Sequence, residues 1–137
     1  MRISELTNTI GISREELPQI NFDFLENILE KFKNDDIRVR SGTVPVTDLK
    51  PCQDKLNNDK IESIVKDGAW EDDRKLFISK DGFTVDGHHY WAANMVKDPS
   101  RRIGVYLVGM NIIDLINWFN SSKFSENRKI TEGKKHV

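Results

Sequence analysis

The chain has 137 residues, 37% hydrophobic and 31% charged, with a formal net charge of −1. This length favours one domain with an appended element, and the near-neutral charge excludes a strong overall field that would gather nucleic acid or an anionic membrane. The single cysteine, Cys52, excludes an internal disulfide and fits a reducing compartment. With no apolar N-terminal signal region and no apolar run near 18 residues, we expect a cytoplasmic protein without membrane contact.

The first 40 residues predict an N-terminal helical extension. Residues 4–11 and 21–36 both have helical spacing, and Asn21 or Asp23 can cap the second segment. The apolar stripe of that segment consists of Phe24, Leu25, Ile28, Leu29 and Phe32. Two interpretations stay open: the helix packs on the main domain, or it docks a protein partner.

The next segments, from residue 37 to residue 68, predict a strand, a turn and a short helix. Residues 37–46 are β-prone but interrupted by Gly42 and Pro45, and residues 49–54 read as a turn. The helix in 57–68 has Asn58 or Asp59 as its cap and Gly68 as its stop.

The remaining elements complete an α+β order. Residues 74–87 predict a hairpin that turns at 80–82, and residues 88–98 a helix. A buried strand at 102–109 and a helix capped by Asn111 follow, the helix having an apolar face of Ile112, Ile113, Ile116 and Phe119. We expect a compact domain at 41–122, with a small mixed sheet flanked by helices. Residues 123–137 predict a mobile basic tail, and weak, non-specific contact of this tail with nucleic acid stays open.

The strand-to-helix junction "TVDGHHYWAAN" (84–94) carries two of the three histidines. A helix start exposes backbone N–H groups at the positive end of the helix dipole, which is a phosphate-binding arrangement. Gly87 allows close approach of a ligand, and Asp86 can cap the helix or hold a metal-bound water. His88 and His89 can donate to a phosphate or move a proton near neutral pH. The alternative is structural: Asp86 is an N-cap and one histidine packs on the sheet.

Zinc is not expected at this junction. Adjacent helical side chains point about 100° apart, so His88 and His89 do not readily chelate one ion, and no cysteine or third histidine has ligand spacing. Mg²⁺ carried in with a nucleotide, held by Asp86 and phosphate oxygens, is the more natural metal.

Residues 44–68 and 76–94 resemble the ParB/sulfiredoxin superfamily, and most closely its short ParB-like nuclease-type domains of phage and prophage genomes. In that family a Pro-x-Gln turn follows the first strand, a helix ending in glycine comes next, and a hairpin leads into Asp-Gly-His-His-Arg. The matching elements here are "PCQ" at 51–53 and "DGHH" at 86–89. The resemblance covers about residues 44–119.

The resemblance implies nucleotide-phosphate binding by Asp86, Gly87, His88 and His89, with Gln53 facing the same cleft. Two positions depart from the family pattern. Tyr90 stands where the family has an arginine, so the cation that clamps a phosphate must come from elsewhere, with Arg74, Lys80 and the tail as candidates. Gln53 stands where kinase-type members have a glutamate, and glutamine cannot act as a general base.

The resemblance therefore implies a phosphoryl- or phosphodiester-processing enzyme of the NTPase, kinase or nuclease type. Asp86, His88 and His89 are the candidate catalytic residues; the candidate binding residues are Gln53, Gly87, His88, His89 and Tyr90. Sulfiredoxin activity is not expected, because histidine stands at the position of the required cysteine. The alternative is a catalytically impaired protein-interaction module of phage origin, located in the host cytoplasm if phage-encoded.

Overall fold

A computed structural model of the chain describes residues 11–13, 16–53, 56–122 and 125–127. Within these residues there are four α-helices: α1 (Leu25–Asn34), α2 (Asn58–Asp67), α3 (His88–Lys97) and α4 (Ile112–Asn120). The strands are β1 (Pro18–Ile20), β2 (Val39–Pro45), β3 (Lys50–Pro51), β4 (Leu76–Ser79), β5 (Phe83–Thr84), β6 (Arg102–Val108) and β7 (Ser125–Asn127). Short 3-10 helices occupy Phe22–Phe24, Val46–Asp48 and Ala69–Glu71. No helix in these described ranges is both long and apolar enough to cross a bilayer.

The central sheet is mixed and has the strand order β2-β6-β4-β5-β3. Strand β6 pairs antiparallel with β2 and parallel with β4, while β5 pairs antiparallel with β4 and parallel with β3. Strands β1 and β7 form a separate two-stranded antiparallel sheet. The expected α+β class and the small mixed sheet flanked by helices are confirmed.

Apolar side chains cover both faces of the central sheet. One cluster joins Phe77 of β4 to residues of α1 and α4, and the other joins Leu76 and Ile78 to residues of α2 and α3. All four residues of β4 are buried, as expected for a strand covered on both faces. The helices thus hold β4 and its neighbours firmly, and the chain leaves the sheet for α3 from a rigid base.

Helix α1 packs against the domain's own core. Ile28 and Phe32 have no exposed surface, and the Phe32 ring stacks on Trp118 with centroids 3.8 Å apart. Phe24, at the start of the predicted stripe, is 42% exposed. The centre of the stripe is therefore occupied within the chain and is not free to dock a partner.

Strand β1 pairs with β7, which is distant in sequence, and this pairing places Pro18 opposite Asn127. The predicted extension thus contains a strand as well as a helix, and β2 begins at Val39, just before residue 40. Its first helical segment falls almost wholly in residues 1–10, outside the described residues. Most of the predicted tail, 123–137, also lies outside them.

Three local predictions need correction. Asn57, and neither Asn58 nor Asp59, caps α2 by accepting the Lys60 N–H. In α4, Ile113 is 53% exposed, and the buried face uses Leu115 and Trp118 instead. Residues 49–54 are more than a turn, because β3 lies within them and Gln53 forms an isolated bridge with Ile12. The predicted Gly68 stop of α2 and Asn111 cap of α4 are both confirmed.

Candidate functional site

The junction before α3 is held in place by Gly87 and by hydrogen bonds of Asp86 and Thr84. Gly87 has a φ of +72°, and a Cβ at that position would lie only 2.5 Å from Leu76 Cδ2, so no other residue fits without a shift. The Asp86 Oδ1 atom accepts the Gly87 N–H at 2.7 Å, and its Oδ2 accepts the Ile20 N–H at 3.4 Å. Thr84 Oγ1 donates to the Asp86 carbonyl. These bonds join β1, β5 and the start of α3.

Asp86 does not occupy the N-cap position of α3, because Gly87 holds that position and glycine has no side chain with which to cap the first turn. The residues at the start of α3 line a cavity of about 450 Å³, here called the α3 cavity. All six site residues predicted from the sequence line it. The complete lining is Gln19, Ile20, Gln53, Lys60, Ser63, Ile64, Arg74, Asp86, Gly87, His88, His89 and Tyr90.

His88 is buried and fixed by backbone amides. Its Nε2 atom accepts the N–H of Cys52 at 3.1 Å and that of Gln53 at 3.3 Å, so we assign the proton to Nδ1. Burial, with a smaller contribution from His89, lowers the pKa of His88 from its usual 6.5 to about 3. The imidazole is therefore neutral near pH 7, and its lone pair is occupied. The geometry gives His88 the role of positioning the 52–53 turn rather than the proton transfer that its place in the sequence suggests.

Cys52 belongs to the same buried contact. Its Sγ atom donates to the Thr84 carbonyl at 3.2 Å and lies 3.4 Å from His88 Nε2. Burial raises the pKa of the Cys52 thiol to about 12. The thiol is therefore protonated at neutral pH, and its role is in packing and hydrogen bonding.

His89 lies at the more open side of the α3 cavity. Its Nε2 atom accepts the Asn57 N–H at 3.0 Å, just before α2, and its side chain is half-buried. Because this bond lies at the protein surface, water can compete for it. His89 is thus the histidine of the pair that can exchange protons with a ligand in the cavity.

A cation is present beside the helix start although the motif position holds tyrosine. The Arg74 guanidinium carbon lies 5.6 Å from the centre of the Tyr90 ring. Its Nη2 atom lies 3.5 Å from the position a Gly87 Cβ would occupy. Tyr90 is buried and donates its hydroxyl to the Asp72 carbonyl at 2.7 Å. Of the three replacement cations considered from the sequence, Arg74 lines the α3 cavity and Lys80 lies at another cleft.

Sequence reasoning missed the contributions of α2 and β1 to the cavity. Lys60, Ser63 and Ile64 lie on one face of α2, and Gln19 and Ile20 come from β1. The i, i+3, i+4 spacing of the α2 residues marks them as one face. No local motif links that face to residue 86, however, because the packing of α2 against α3 creates the contact.

Trp70 lies away from the α3 cavity. Lys97 and Arg101 lie over its ring, 5.8 Å and 5.7 Å from the centroid, and its carbonyl accepts a hydrogen bond from Arg101. Trp70 is therefore not placed to stack on a base in the α3 cavity.

The donor set of the α3 cavity fits a magnesium ion only if a ligand supplies most of the oxygens. Within the described residues there is no group of three or more His, Cys, Asp or Glu side chains that could hold a metal. Asp86 provides one carboxylate at the cavity, already accepting two backbone N–H groups. This fits an ion that arrives with phosphate oxygens and keeps several waters.

No protein-family model matches the chain, and no curated protein or solved structure matches it either. The functional assignment therefore rests on the geometry and chemistry of the α3 cavity.

Proposed function

We propose that the chain binds a nucleotide or another phosphate-bearing ligand at the start of α3. One observation carries the proposal: the start of α3, whose N-cap residue Gly87 has no capping side chain, lines a cavity with the Arg74 guanidinium beside Gly87. Backbone N–H groups and the helix dipole favour an anion at this position. The guanidinium adds a permanent charge with donors arranged for phosphate oxygens.

Arg74 supplies the clamp that the motif lacks at position 90. The Arg74 guanidinium lies over the ring of the buried Tyr90, and the face of this ring attracts the cation and holds it in position. Lys60 and Ser63 line the same cavity from α2, and the Lys60 ammonium adds a positive charge on a second side. The ligand is thus held between the start of α3 and one face of α2.

The chemistry we propose is phosphoryl or phosphodiester transfer, by an NTPase, a kinase or a nuclease. His89 is the acid–base group, because its nitrogen lies at the accessible side of the cavity. Asp86 orients water, or Mg²⁺ brought with the ligand; when bound, that ion neutralises phosphate charge. His88 and Cys52 hold the turn that presents Gln53 to the cavity.

We also propose membership of the ParB/sulfiredoxin superfamily. The support is that Gln53 of the "PCQ" turn lines the same cavity as the "DGHH" motif, although Gln53 and Asp86 are 33 residues apart. A mixed sheet flanked by helices agrees with that fold.

The alternative, an interaction module that docks through the N-terminal helix, has less support. Ile28 and Phe32 are buried in the chain's own core, so docking through them requires α1 to leave the domain. Nucleic-acid contact by the basic tail depends on residues that mostly lie outside the described ranges.

The test is calorimetric titration with ATP, ADP, CTP and GTP, with and without Mg²⁺, followed by phosphate-release and nuclease assays. We expect saturable binding of at least one nucleotide and a turnover rate that His89→Gln and Asp86→Asn lower by about 100-fold, as for loss of a positioned acid–base group. Binding that never saturates with any of them would contradict the phosphate site. Binding without turnover would remove the enzymatic part alone.

A further inference from the structure

A second cleft lies at the opposite end of the central sheet from the α3 cavity. Strand β5 runs antiparallel to β4 and so delivers α3 to the end where β4 and β6 begin. The cleft, of about 380 Å³, lies where the parallel strands β4 and β6 finish. Ligands commonly bind at the carboxyl ends of parallel strands. Its lining consists of Arg38, Arg40, Val44, Asp48, Leu49, Ile78, Ser79, Lys80, Gly82, Leu107, Val108 and Gly109.

Three cations converge on this arginine cleft, which we name for Arg38, Arg40 and Lys80. Arg40 lies in β2, and Arg38 is the residue just before the strand. Because the two arginines are two positions apart, their side chains lie on the same side of the strand. Lys80 comes from the turn between β4 and β5. Among the described residues none of the three forms an ion pair, and Asp48 is the one carboxylate in the lining.

Other arginines of the described chain have partners, which makes these two distinctive. Arg101 donates to the Asn94 side chain and to carbonyls of 70–72. Arg102 donates to the carbonyl and hydroxyl of Thr43, and Arg74 lies on the Tyr90 ring. Arg38 and Arg40 thus leave their guanidinium donors available in one cleft.

The backbone around these cations is fixed. The Lys80 N–H donates to the Met110 carbonyl at 2.9 Å, and the Gly109 N–H donates to the Arg38 carbonyl at 2.8 Å. The Gly82 N–H donates to the Ser79 carbonyl and closes the turn. Both cationic segments are therefore positioned before any ligand arrives.

We propose that the arginine cleft binds a small organic anion with an aliphatic body and a carboxylate or phosphate head group. The cations outnumber carboxylates three to one and attract the head group. Val44, Leu49, Ile78 and Leu107 provide an aliphatic wall for the body. The described lining contains no aromatic side chain on which a nucleobase could stack, so the proposed ligand is not a nucleotide.

Amide chemical shifts of the ¹⁵N-labelled full chain test this proposal, with octanoate and octyl phosphate as probes. We expect saturable shifts at Ser79, Lys80, Gly82 and Gly109, and about tenfold weaker binding in Arg40→Gln and in Lys80→Gln. Lys97→Gln is the matched control, since it removes an exposed cation on the far part of α3. Tighter binding of octanoate identifies a carboxylate ligand, and tighter binding of octyl phosphate identifies a phosphate monoester.

Octanol and inorganic phosphate complete the experiment, because each retains one half of the proposed ligand. Both should bind at least tenfold more weakly than the better amphipathic probe. Equal shifts with octanol would show that the charge is irrelevant and would overturn the proposal. Equal binding by Arg40→Gln and Lys97→Gln, or shifts confined to 88–90, would also overturn it.

Discussion

At the scale of single residues, His88 and His89 differ sharply although they are adjacent. The nitrogen of His88 accepts two buried amides, and that of His89 accepts one exposed amide. The partners of His88 are 36 and 35 residues away, at Cys52 and Gln53. The sequence showed that the pair lies at a helix start, but long-range packing decides which histidine is buried.

Replacement of His88 by leucine should destabilise the fold. Leucine keeps the bulk but leaves the N–H groups of Cys52 and Gln53 buried without an acceptor, which costs about 1–3 kcal/mol for each group. We expect urea denaturation to give a free energy of unfolding lower by about 2 kcal/mol or more. His89→Leu is the control and should cost under about 1 kcal/mol, because water can serve the Asn57 amide. Equal losses in the two variants would contradict the assignment.

The lowered pKa of His88 also predicts a dependence of stability on pH. In the unfolded chain His88 takes up a proton below about pH 6.5, whereas in the folded protein it does so only near pH 3. The stabilisation by neutral His88 is therefore complete above pH 6.5 and is lost as pH falls, by about 1.4 kcal/mol per pH unit. The advantage of the wild type over His88→Leu should shrink by that amount per unit between pH 6 and pH 4. An advantage that stays constant with pH would show that His88 titrates normally.

At the scale of elements, strand β2 forms one edge of the sheet and is partly protected. The Arg38 carbonyl accepts the Gly109 N–H, and the Val46 N–H donates to the Arg101 carbonyl, so both groups point toward β6. Residues 39, 41, 43 and 45 alternate with these positions, and their backbone N–H and carbonyl groups therefore point away from the sheet. Pro45 has no N–H to offer, and Arg102 occupies the Thr43 carbonyl at 2.8 Å. One half of the edge is thus closed to pairing with another chain.

Opening that half should promote association. The double variant Pro45→Val, Arg102→Ser adds an outward N–H and frees the Thr43 carbonyl. We expect concentration-dependent dimers or larger species in sedimentation velocity at concentrations where the wild type sediments unchanged. Thr47→Ser, on an exposed residue just beyond the strand, should behave like the wild type. A double variant that sediments like the wild type at every concentration would show that these residues do not protect the edge.

The elements that sequence predicts well are those with local signals. Gly68 ends α2 in the left-handed conformation, and Asn111 starts α4 by accepting the Asp114 N–H. Strands β1 and β3 were not predicted, because they have three and two residues and depend on distant partners. Pro18 pairs with a residue more than 100 positions away, and no pattern within β1 indicates that pairing.

At the scale of the whole molecule, a net charge of −1 conceals two cationic cavities at opposite ends of the sheet. Composition excludes a strong overall field, yet it does not report how charges are distributed. The candidate motif at 86–89 could be found from sequence because its residues are contiguous. The placement of Arg74 over Tyr90 required the fold, since it depends on the path of the chain between α2 and β4.

Arg74, as the phosphate clamp at the start of α3, is the central residue of the proposed site. The most direct test is calorimetric titration of pyrophosphate into the wild type, Arg74→Gln and the charge control Lys97→Gln at one fixed salt concentration. We predict that Arg74→Gln weakens binding by about tenfold or more, since a charge-assisted contact is lost, while Lys97→Gln binds like the wild type. Equal affinities for the three proteins would contradict the assignment of Arg74, and the absence of binding to the wild type would contradict the phosphate site itself.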